Sequence, residues 1–186
     1  MARSEKTSIM VMSALFMAIT CVCTMFIKIP TAAGYVHLGT MVVFLGMYVL
    51  GWKYGMLAGA VGTALADLLS GYAIWAPGSL GVILIVTLIY GLLINHAYKT
   101  DGGIRSVPQI PEILAIILAA VLFTLGYFMY GAGVVYDSWA AAMLVVIPNL
   151  IQVLVGIFLA RIIGMALCKM GLRRFFRYRF ITKNEV

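Results

Sequence analysis

The sequence predicts an all-α integral membrane protein with six transmembrane helices and with both termini in the cytoplasm. Three observations support this prediction. Hydrophobic residues make up 64% of the 186-residue chain, and its mean hydropathy is +1.09. The apolar residues form six segments, most of which approach the roughly 20 residues that a helix needs to cross a bilayer. All but one of the 13 Lys and Arg residues can be assigned to one side of these segments.

The six predicted helices fill a single membrane domain of residues 1–186 and leave no room for a soluble domain. The second and third are shorter than a full crossing. They either extend into their loops or end below the outer surface and leave a cavity there. Pro148 should bend the last helix because its nitrogen cannot donate a hydrogen bond to the Leu144 carbonyl. The predicted helices cover residues 7–27, 38–50, 54–69, 79–98, 113–130 and 139–170.

The basic residues predict the orientation in the cell membrane. Short loops retain Lys and Arg on the cytoplasmic face during insertion. Only Lys28 falls in a predicted outer loop, so we expect a multi-pass protein with both ends inside. The predicted inner residues are Arg3, Lys6, Lys53, Lys99, Arg105, Arg161, Lys169, Arg173, Arg174, Arg177, Arg179 and Lys183.

The C-terminal tail, residues 173–179, alternates basic and aromatic side chains. A nucleic-acid-binding patch is one reading of this composition. An aromatic and basic stretch directly beyond a last membrane helix more often anchors that helix at anionic lipid headgroups. We therefore expect a membrane anchor and no nucleic-acid partner.

Motifs for ATP binding, serine hydrolysis and zinc proteolysis are absent from the sequence, which has no G-x-x-x-x-G-K-[ST], G-x-S-x-G or H-E-x-x-H. Cys21, Cys23 and Cys168 fall in apolar helices with no His or carboxylate at ligand spacing. They are interpreted as small buried residues. The sequence thus predicts a binding unit that is no enzyme, has no cofactor or metal, and lacks its own energy source.

The predicted outer loops combine aromatic residues with turn-forming glycines and prolines. Tyr35 and His37 lie in the first loop, and Tyr72 and Trp75 lie in the second. Glycine and proline favour defined turns, so these rings could stack on a small planar ligand while a polar atom orients it. A belt of aromatic residues at the lipid interface is the alternative for each ring.

Polar residues inside the predicted helices add further candidates. Asp67, near the end of the third helix, either faces the outer cavity or holds the following Ser-Gly turn. Asn149, Gln152 and Gly156 share one face of the last helix. The two side-chain amides, of Asn149 and Gln152, either bond neighbouring helices or form the floor of a cavity.

Small residues form two stripes, one on the first helix at Ala14 and Ala18 and one on the third helix. Small residues at this spacing let two helices approach closely. Packing within the chain is the default explanation, and an interface with another protein is the alternative.

Short motifs along the chain form a characteristic combination: G-Y-V-H-L-G at 34–39, K-Y-G at 53–55, A-L-A-D-L-L-S-G-Y at 64–72, A-P at 76–77 and P-N-L-I-Q at 148–152. With A-x-x-x-A at 14–18, they resemble the S components of energy-coupling factor (ECF) vitamin transporters. The resemblance is greatest to the branch for hydroxymethylpyrimidine, pyridoxine and related precursors.

The resemblance implies a six-helix, substrate-binding protein of the prokaryotic cell membrane. Its partners would be a transmembrane T component and two ABC ATPases, which hydrolyse the ATP. The first outer loop would act as a lid, and Ala14 and Ala18 would face the T component. An S component for another vitamin such as pantothenate is an alternative, and a small membrane enzyme or assembly factor is another.

At three positions where that branch of S components commonly has a charged residue, this chain has an uncharged one. Thr40 stands where an acid is common, residues 78–83 carry no charge, and apolar residues precede Pro148. These differences predict a pocket for a neutral, flat, hydroxylated molecule, with pyridoxine first and hydroxymethylpyrimidine second. The expected substrate-binding residues are Tyr35, His37, Thr40, Asp67, Tyr72, Trp75, Asn149 and Gln152.

Overall fold

A computed structural model describes residues 3–31, 34–101, 103–105 and 108–181, which form a helical bundle with two small pairs of strands. From the N-terminus, the elements are α1 (Arg3–Phe26), β1 (Lys28–Thr31), β2 (Gly34–His37), α2 (Gly39–Leu50), α3 (Trp52–Leu69), α4 (Ala76–Asp101) and α5 (Ile110–Tyr130). The C-terminal part contains α6 (Trp139–Ala142) and α7 (Val146–Lys169). Strands β3 (Ile104–Arg105) and β4 (Phe180–Ile181) form the second pair.

Each predicted membrane segment contains a helix, but the elements differ from the prediction, most clearly in the first outer loop and in the last helix. The first outer loop is an antiparallel hairpin, in which Ile29 of β1 pairs with Val36 of β2. The last predicted helix is divided into α6, a 3₁₀ turn at Met143–Val145 and α7. The interruption immediately precedes the proline of α7, in agreement with the expected break in helical hydrogen bonding.

Four helical stretches in the described part of the chain are long and apolar enough to cross a membrane: Lys6–Phe26, Ala76–Lys99, Ile110–Val135 and Trp139–Lys169. Helices α2 and α3 have 12 and 18 residues. The protein therefore has a multi-pass, largely helical architecture. Six crossings and cytoplasmic termini remain predictions.

Helix α2, the short helix of 12 residues, lies at the centre of the bundle. It packs against α1, α3 and α7, and ten of its 12 residues are buried. Phe44, Met47 and Tyr48 are its largest fully enclosed side chains. A helix surrounded by other helices has little contact with lipid, so its length need not match the bilayer thickness.

The two small-residue stripes have different environments. A Cβ added at Gly62 of α3 would lie 2.6 Å from the Met17 carbonyl oxygen of α1, and one at Gly55 would lie 2.7 Å from Met47 Cα of α2. Glycine therefore lets α3 approach both neighbouring helices. Ala14 and Ala18 are exposed on α1, so internal packing accounts for the α3 stripe but not for the alanine pair.

The C-terminal segment folds back onto the bundle. The Arg177 and Tyr178 amides donate to the carbonyl oxygens of Val49 and Tyr48, each at 3.0 Å. Strand β4 pairs in parallel with β3. Three aromatic side chains turn inward, while Phe175, Arg177 and Arg179 stay exposed, which differs from a simple lipid anchor. The buried rings are those of Phe176, Tyr178 and Phe180.

Among the basic residues whose burial the structure describes, Arg161 differs from the other Lys and Arg residues because it is buried in α7. Its Nη1 atom donates to Glu112 Oε2 of α5 at 2.8 Å, and both side chains are almost fully enclosed. The Phe180 ring of the folded tail lies 5.9 Å from the guanidinium carbon. The sequence analysis grouped Arg161 with the cations at the end of the last helix and in the tail, and the structure adds that its side chain is paired inside the bundle.

Candidate functional site

A cavity of about 510 Å³, including its open mouth, lies at the end of the bundle that carries the β1–β2 hairpin. The hairpin, the end of α3, the start of α4, one residue of α5 and the beginning of α7 contribute to its wall. The lining residues are Thr31, Tyr35, His37, Asp67, Tyr72, Trp75, Ser79, Tyr127, Val145, Pro148, Asn149 and Gln152.

Seven of the eight residues expected to bind substrate line this one cavity. The exception is Thr40, which is buried behind Gln152. The lining residues that the sequence analysis did not select include Thr31 of the hairpin and two helical residues with hydroxyl groups, Ser79 and Tyr127. Both lie in apolar helices, where no local pattern distinguishes a cavity-facing residue from one at the lipid interface.

Asp67 connects the hairpin to the helices. Tyr35 Oη donates to Asp67 Oδ1 at 2.7 Å, and Ser79 Oγ donates to Asp67 Oδ2. Tyr127 Oη donates in turn to Ser79 Oγ at 3.0 Å. Burial raises the pKa of Tyr35, and the Asp67 carboxylate raises it further, so the phenol keeps its proton. A buried carboxylate needs such donors, and here they fix the hairpin over α3.

The alternative structural role for Asp67 was to hold the turn that follows α3. The turn does bond to this residue, but through the backbone: the Tyr72 amide donates to the Asp67 carbonyl oxygen at 2.9 Å. The side chain instead bonds across the cavity to a strand and to another helix. Its carboxylate therefore organises the cavity wall and does not form the local turn.

Gln152 joins the hairpin to α2 and α7. Its Oε1 accepts a hydrogen bond from the His37 amide at 2.9 Å, which fixes the orientation of its side-chain amide. Its Nε2 donates to Thr40 Oγ1 at 2.9 Å and lies 3.3 Å from His37 Nε2. Because an amide nitrogen can only donate, this contact is a hydrogen bond in the tautomer of His37 that leaves Nε2 unprotonated and carries the proton on Nδ1.

The aromatic residues pack against one another in two groups. Trp75 meets Tyr127, Tyr130 and Tyr136 with ring centroids 5.9–6.0 Å apart. Tyr35 meets Tyr72 edge-on at 4.8 Å. Trp75, Tyr127, Tyr35 and Tyr72 also line the cavity, so a belt facing lipid does not account for these four rings. Such tilted and edge-on pairs hold ring planes in place and can present them to a flat ligand.

Two polar groups at the cavity differ in their availability. Asn149 lines the cavity, and no hydrogen bond joins its side chain to another described residue, so its amide is available to a ligand. Lys28 lies over the Tyr35 and Tyr72 rings, with Nζ 4.9 and 5.5 Å from their centroids. This cation–π contact holds the ammonium at the outer edge of the hairpin.

His37 is uncharged near neutral pH. Burial, with a smaller contribution from the Lys28 ammonium, lowers its pKa to about 4. The hairpin therefore offers the cavity no histidine cation. Within the described residues, no three His, Cys, Asp or Glu side chains converge to hold a metal ion.

We expect stability to respond to acid through His37. A folded-state pKa of about 4, below the ordinary 6.5, means that the unfolded chain binds the extra proton first. The His37 contribution should be constant above pH 6.5 and should decline as the pH falls from about 6.5 to about 4. Thermal unfolding against pH, compared with His37→Gln, measures this contribution. An imidazole NMR titration of His37 with a midpoint near 6.5 would contradict the expectation.

The family model described as "ECF-type riboflavin transporter, S component" matches residues 4–169. No curated protein matches the chain.

Proposed function

Because the chain belongs to the family of ECF-type riboflavin transporter S components, we propose that it captures a neutral, flat, hydroxylated vitamin in the hairpin-covered cavity. Members of this family are substrate-binding membrane subunits of ECF importers, which makes this chain a transporter subunit. Family membership also implies association with a T component and ATPases. The observation that supports the choice of site is the convergence of the hairpin, α3 and α7 on a single cavity.

The chemistry of the cavity favours an uncharged ligand. The Asp67 carboxylate already accepts two hydroxyl donors, and His37 is neutral at physiological pH. Aromatic faces supply the surface for a planar ring, and the Asn149 amide supplies both a donor and an acceptor for ligand hydroxyl or carbonyl groups. A carboxylate ligand would lack a buried cation to neutralise it among the described lining residues.

Riboflavin is our first candidate, and pyridoxine and hydroxymethylpyrimidine are the next two. The family model carries the name of riboflavin, which differs from the branch expected from the short motifs. Riboflavin combines a flat, uncharged ring system with a hydroxylated side chain, so it fits the chemistry of the cavity. The two smaller vitamins share those properties and keep the support of the local motifs.

Calorimetry on the purified chain tests the substrate class. We expect saturable binding of riboflavin, or of one of the two smaller vitamins, and no binding of pantothenate. Tight pantothenate binding with no response to the three neutral vitamins would contradict the proposal. If the correctly folded wild-type chain binds no vitamin at all, the proposed function as a whole is contradicted.

We also propose that Ala14 and Ala18 contact the T component. Both are exposed on α1, and small residues allow close approach of a partner helix. The proposed topology has six crossings and cytoplasmic termini. An impermeant cysteine reagent applied to intact cells should then label Asp137→Cys but not Arg174→Cys, and the reverse result would refute this topology.

Replacing both Ala14 and Ala18 by Leu should abolish uptake and leave vitamin binding by the isolated chain unchanged. The larger side chains would block close helix approach but would not alter the cavity wall, because neither alanine lines the cavity. Calorimetry and cellular uptake of labelled vitamin, measured on the same variant, separate the two effects. Val22→Leu, an exposed change on the same helix, is the matched control. Normal uptake by the double variant would exclude a coupling role.

A further inference from the structure

A second cavity, of about 610 Å³ including its open mouth, lies at the opposite end of α3. The first cavity contacts Asp67 near the C-terminal end of this helix, whereas the second contacts its first turn. Its lining residues come from α1, the α2–α3 turn, α4 and the folded tail. They are Ile9, Leu50, Gly51, Trp52, Lys53, Tyr54, Asn95, Arg177 and Tyr178.

The polar part of this cavity is electropositive. Lys53 and Arg177 come from two different elements, and no acidic residue is among the described lining residues. Helix α3 begins here without a side-chain cap, so its positive dipole end adds to the two cations. The Tyr178 hydroxyl donates to Asn95 Oδ1 at 3.2 Å, which leaves the Asn95 amide hydrogens available to an acceptor.

Arg177 is held in place by the fold of the tail. Its backbone amide donates to the Val49 carbonyl oxygen, and its side-chain stem covers Gly51. A Cβ added at Gly51 would lie 3.0 Å from Arg177 Cγ, and this glycine has a φ of 82°. The close approach and the left-handed backbone both favour glycine at the turn. The guanidinium therefore belongs to a defined wall of the cavity.

The rest of the cavity is apolar and reaches the surface of the helical bundle. Tyr54 is exposed and Ile9 is partly exposed, and the Lys53 ammonium lies 5.3 Å from the centroid of the Trp52 ring. Trp and Tyr at the ends of membrane helices lie at the level of lipid headgroups. The cavity thus presents cations and hydrogen-bond donors beside a surface suited to acyl chains.

We propose that this cavity binds the phosphate-containing headgroup of an anionic phospholipid. Lys53, Arg177 and the Asn95 amide contact the phosphate, while Ile9 and Tyr54 contact the upper part of the acyl chains. Charge complementarity selects an anionic lipid over a zwitterionic one. The apolar rim distinguishes a lipid from a soluble phosphate ion. The site is independent of the vitamin cavity at the other end of α3.

Native mass spectrometry of the full chain, extracted from vesicles of phosphatidylglycerol and phosphatidylcholine, tests this proposal. The double variant Lys53→Gln, Arg177→Gln should retain phosphatidylglycerol about 25-fold less well than the wild type, since one basic residue near anionic lipid contributes about fivefold. Retention of phosphatidylcholine should not change. An unchanged thermal midpoint shows that the variant is folded, whether or not the chain binds a vitamin.

The matched control is Lys99→Gln, Arg174→Gln, which removes the same charge from residues that do not line the cavity. It should retain phosphatidylglycerol as the wild type does. Equal losses in the two double variants, or wild-type retention in the cavity variant, would overturn the proposal. Displacement of the bound species by inorganic phosphate, with no dependence on acyl chains, would overturn it in favour of a soluble anion.

Discussion

Asp67→Asn is expected to weaken vitamin binding by about tenfold or more. The carboxylate accepts hydrogen bonds from Tyr35 of the hairpin and Ser79 of α4. An amide has only one acceptor oxygen, so its NH₂ group would oppose one of those hydroxyls. Hydrogen bonds to a charged group contribute about 1.5–3 kcal/mol each, and losing one corresponds to a factor of about 10 or more. Calorimetry with the vitamin that binds the wild type measures the loss.

Asp137→Asn provides the matched control for this prediction. Asp137 belongs to the same end of the molecule but does not line the cavity. Its φ of 48° lies in the left-handed region, which asparagine also tolerates. The control should bind as the wild type does. If Asp67→Asn also binds normally, the hairpin is not held over the cavity through this carboxylate.

Arg161→Met is expected to lower the free energy of unfolding by about 3–5 kcal/mol, because it leaves the buried Glu112 carboxylate without its ion-pair partner. The pair is formed at 2.8 Å, and only 1% of the Glu112 side chain is exposed. The loss should appear as a lower thermal midpoint in detergent. It should also loosen the tail, because Phe180 packs beside the guanidinium.

Lys169→Met also replaces a basic side chain of α7 by methionine, but at an exposed position, so its midpoint should stay close to that of the wild type. Adding Glu112→Gln to Arg161→Met removes the unpaired charge and should restore part of the lost stability. Equal midpoints for Arg161→Met and Lys169→Met would show that the ion pair contributes little to folding.

Hydropathy was sufficient to locate the helices, but not to determine their roles. The sequence predicts that α2 is shorter than a full membrane crossing. Its burial at the centre of the bundle could not be predicted, because it depends on the arrangement of the neighbouring helices. The Arg161 and Glu112 side chains are 49 positions apart, so no local pattern joins them. The alternation of arginine and aromatic residues at 177–180 is a period-two signal, and the structure has a short strand at its end.

Cavity residues could be predicted where an aromatic or polar side chain is unusual among its neighbours in the sequence. His37 and Trp75 lie in short segments rich in turn residues, and the amides of Asn149 and Gln152 are conspicuous in an apolar helix. Tyr127 could not be selected in this way, because a tyrosine near the end of a membrane helix has the same local appearance whether it faces lipid or a cavity. Only the packing of α5 against α4 and α7 distinguishes the two.

Tryptophan fluorescence gives the most direct test of where the vitamin binds. The chain has three tryptophans, and Trp75 lines the hairpin-covered cavity while Trp52 lies at the opposite end of α3. An 18-residue helix is about 27 Å long, so quenching by a bound vitamin should differ strongly between its ends. Two single-tryptophan proteins are needed: Trp52→Phe, Trp139→Phe keeps Trp75, and Trp75→Phe, Trp139→Phe keeps Trp52.

At saturating vitamin, the protein that keeps Trp75 should show strong, saturable quenching, with the same Kd as calorimetry. The protein that keeps Trp52 should show much weaker quenching. Equal quenching in the two proteins, or stronger quenching of Trp52, would contradict binding in the cavity formed by the hairpin, α3 and α7.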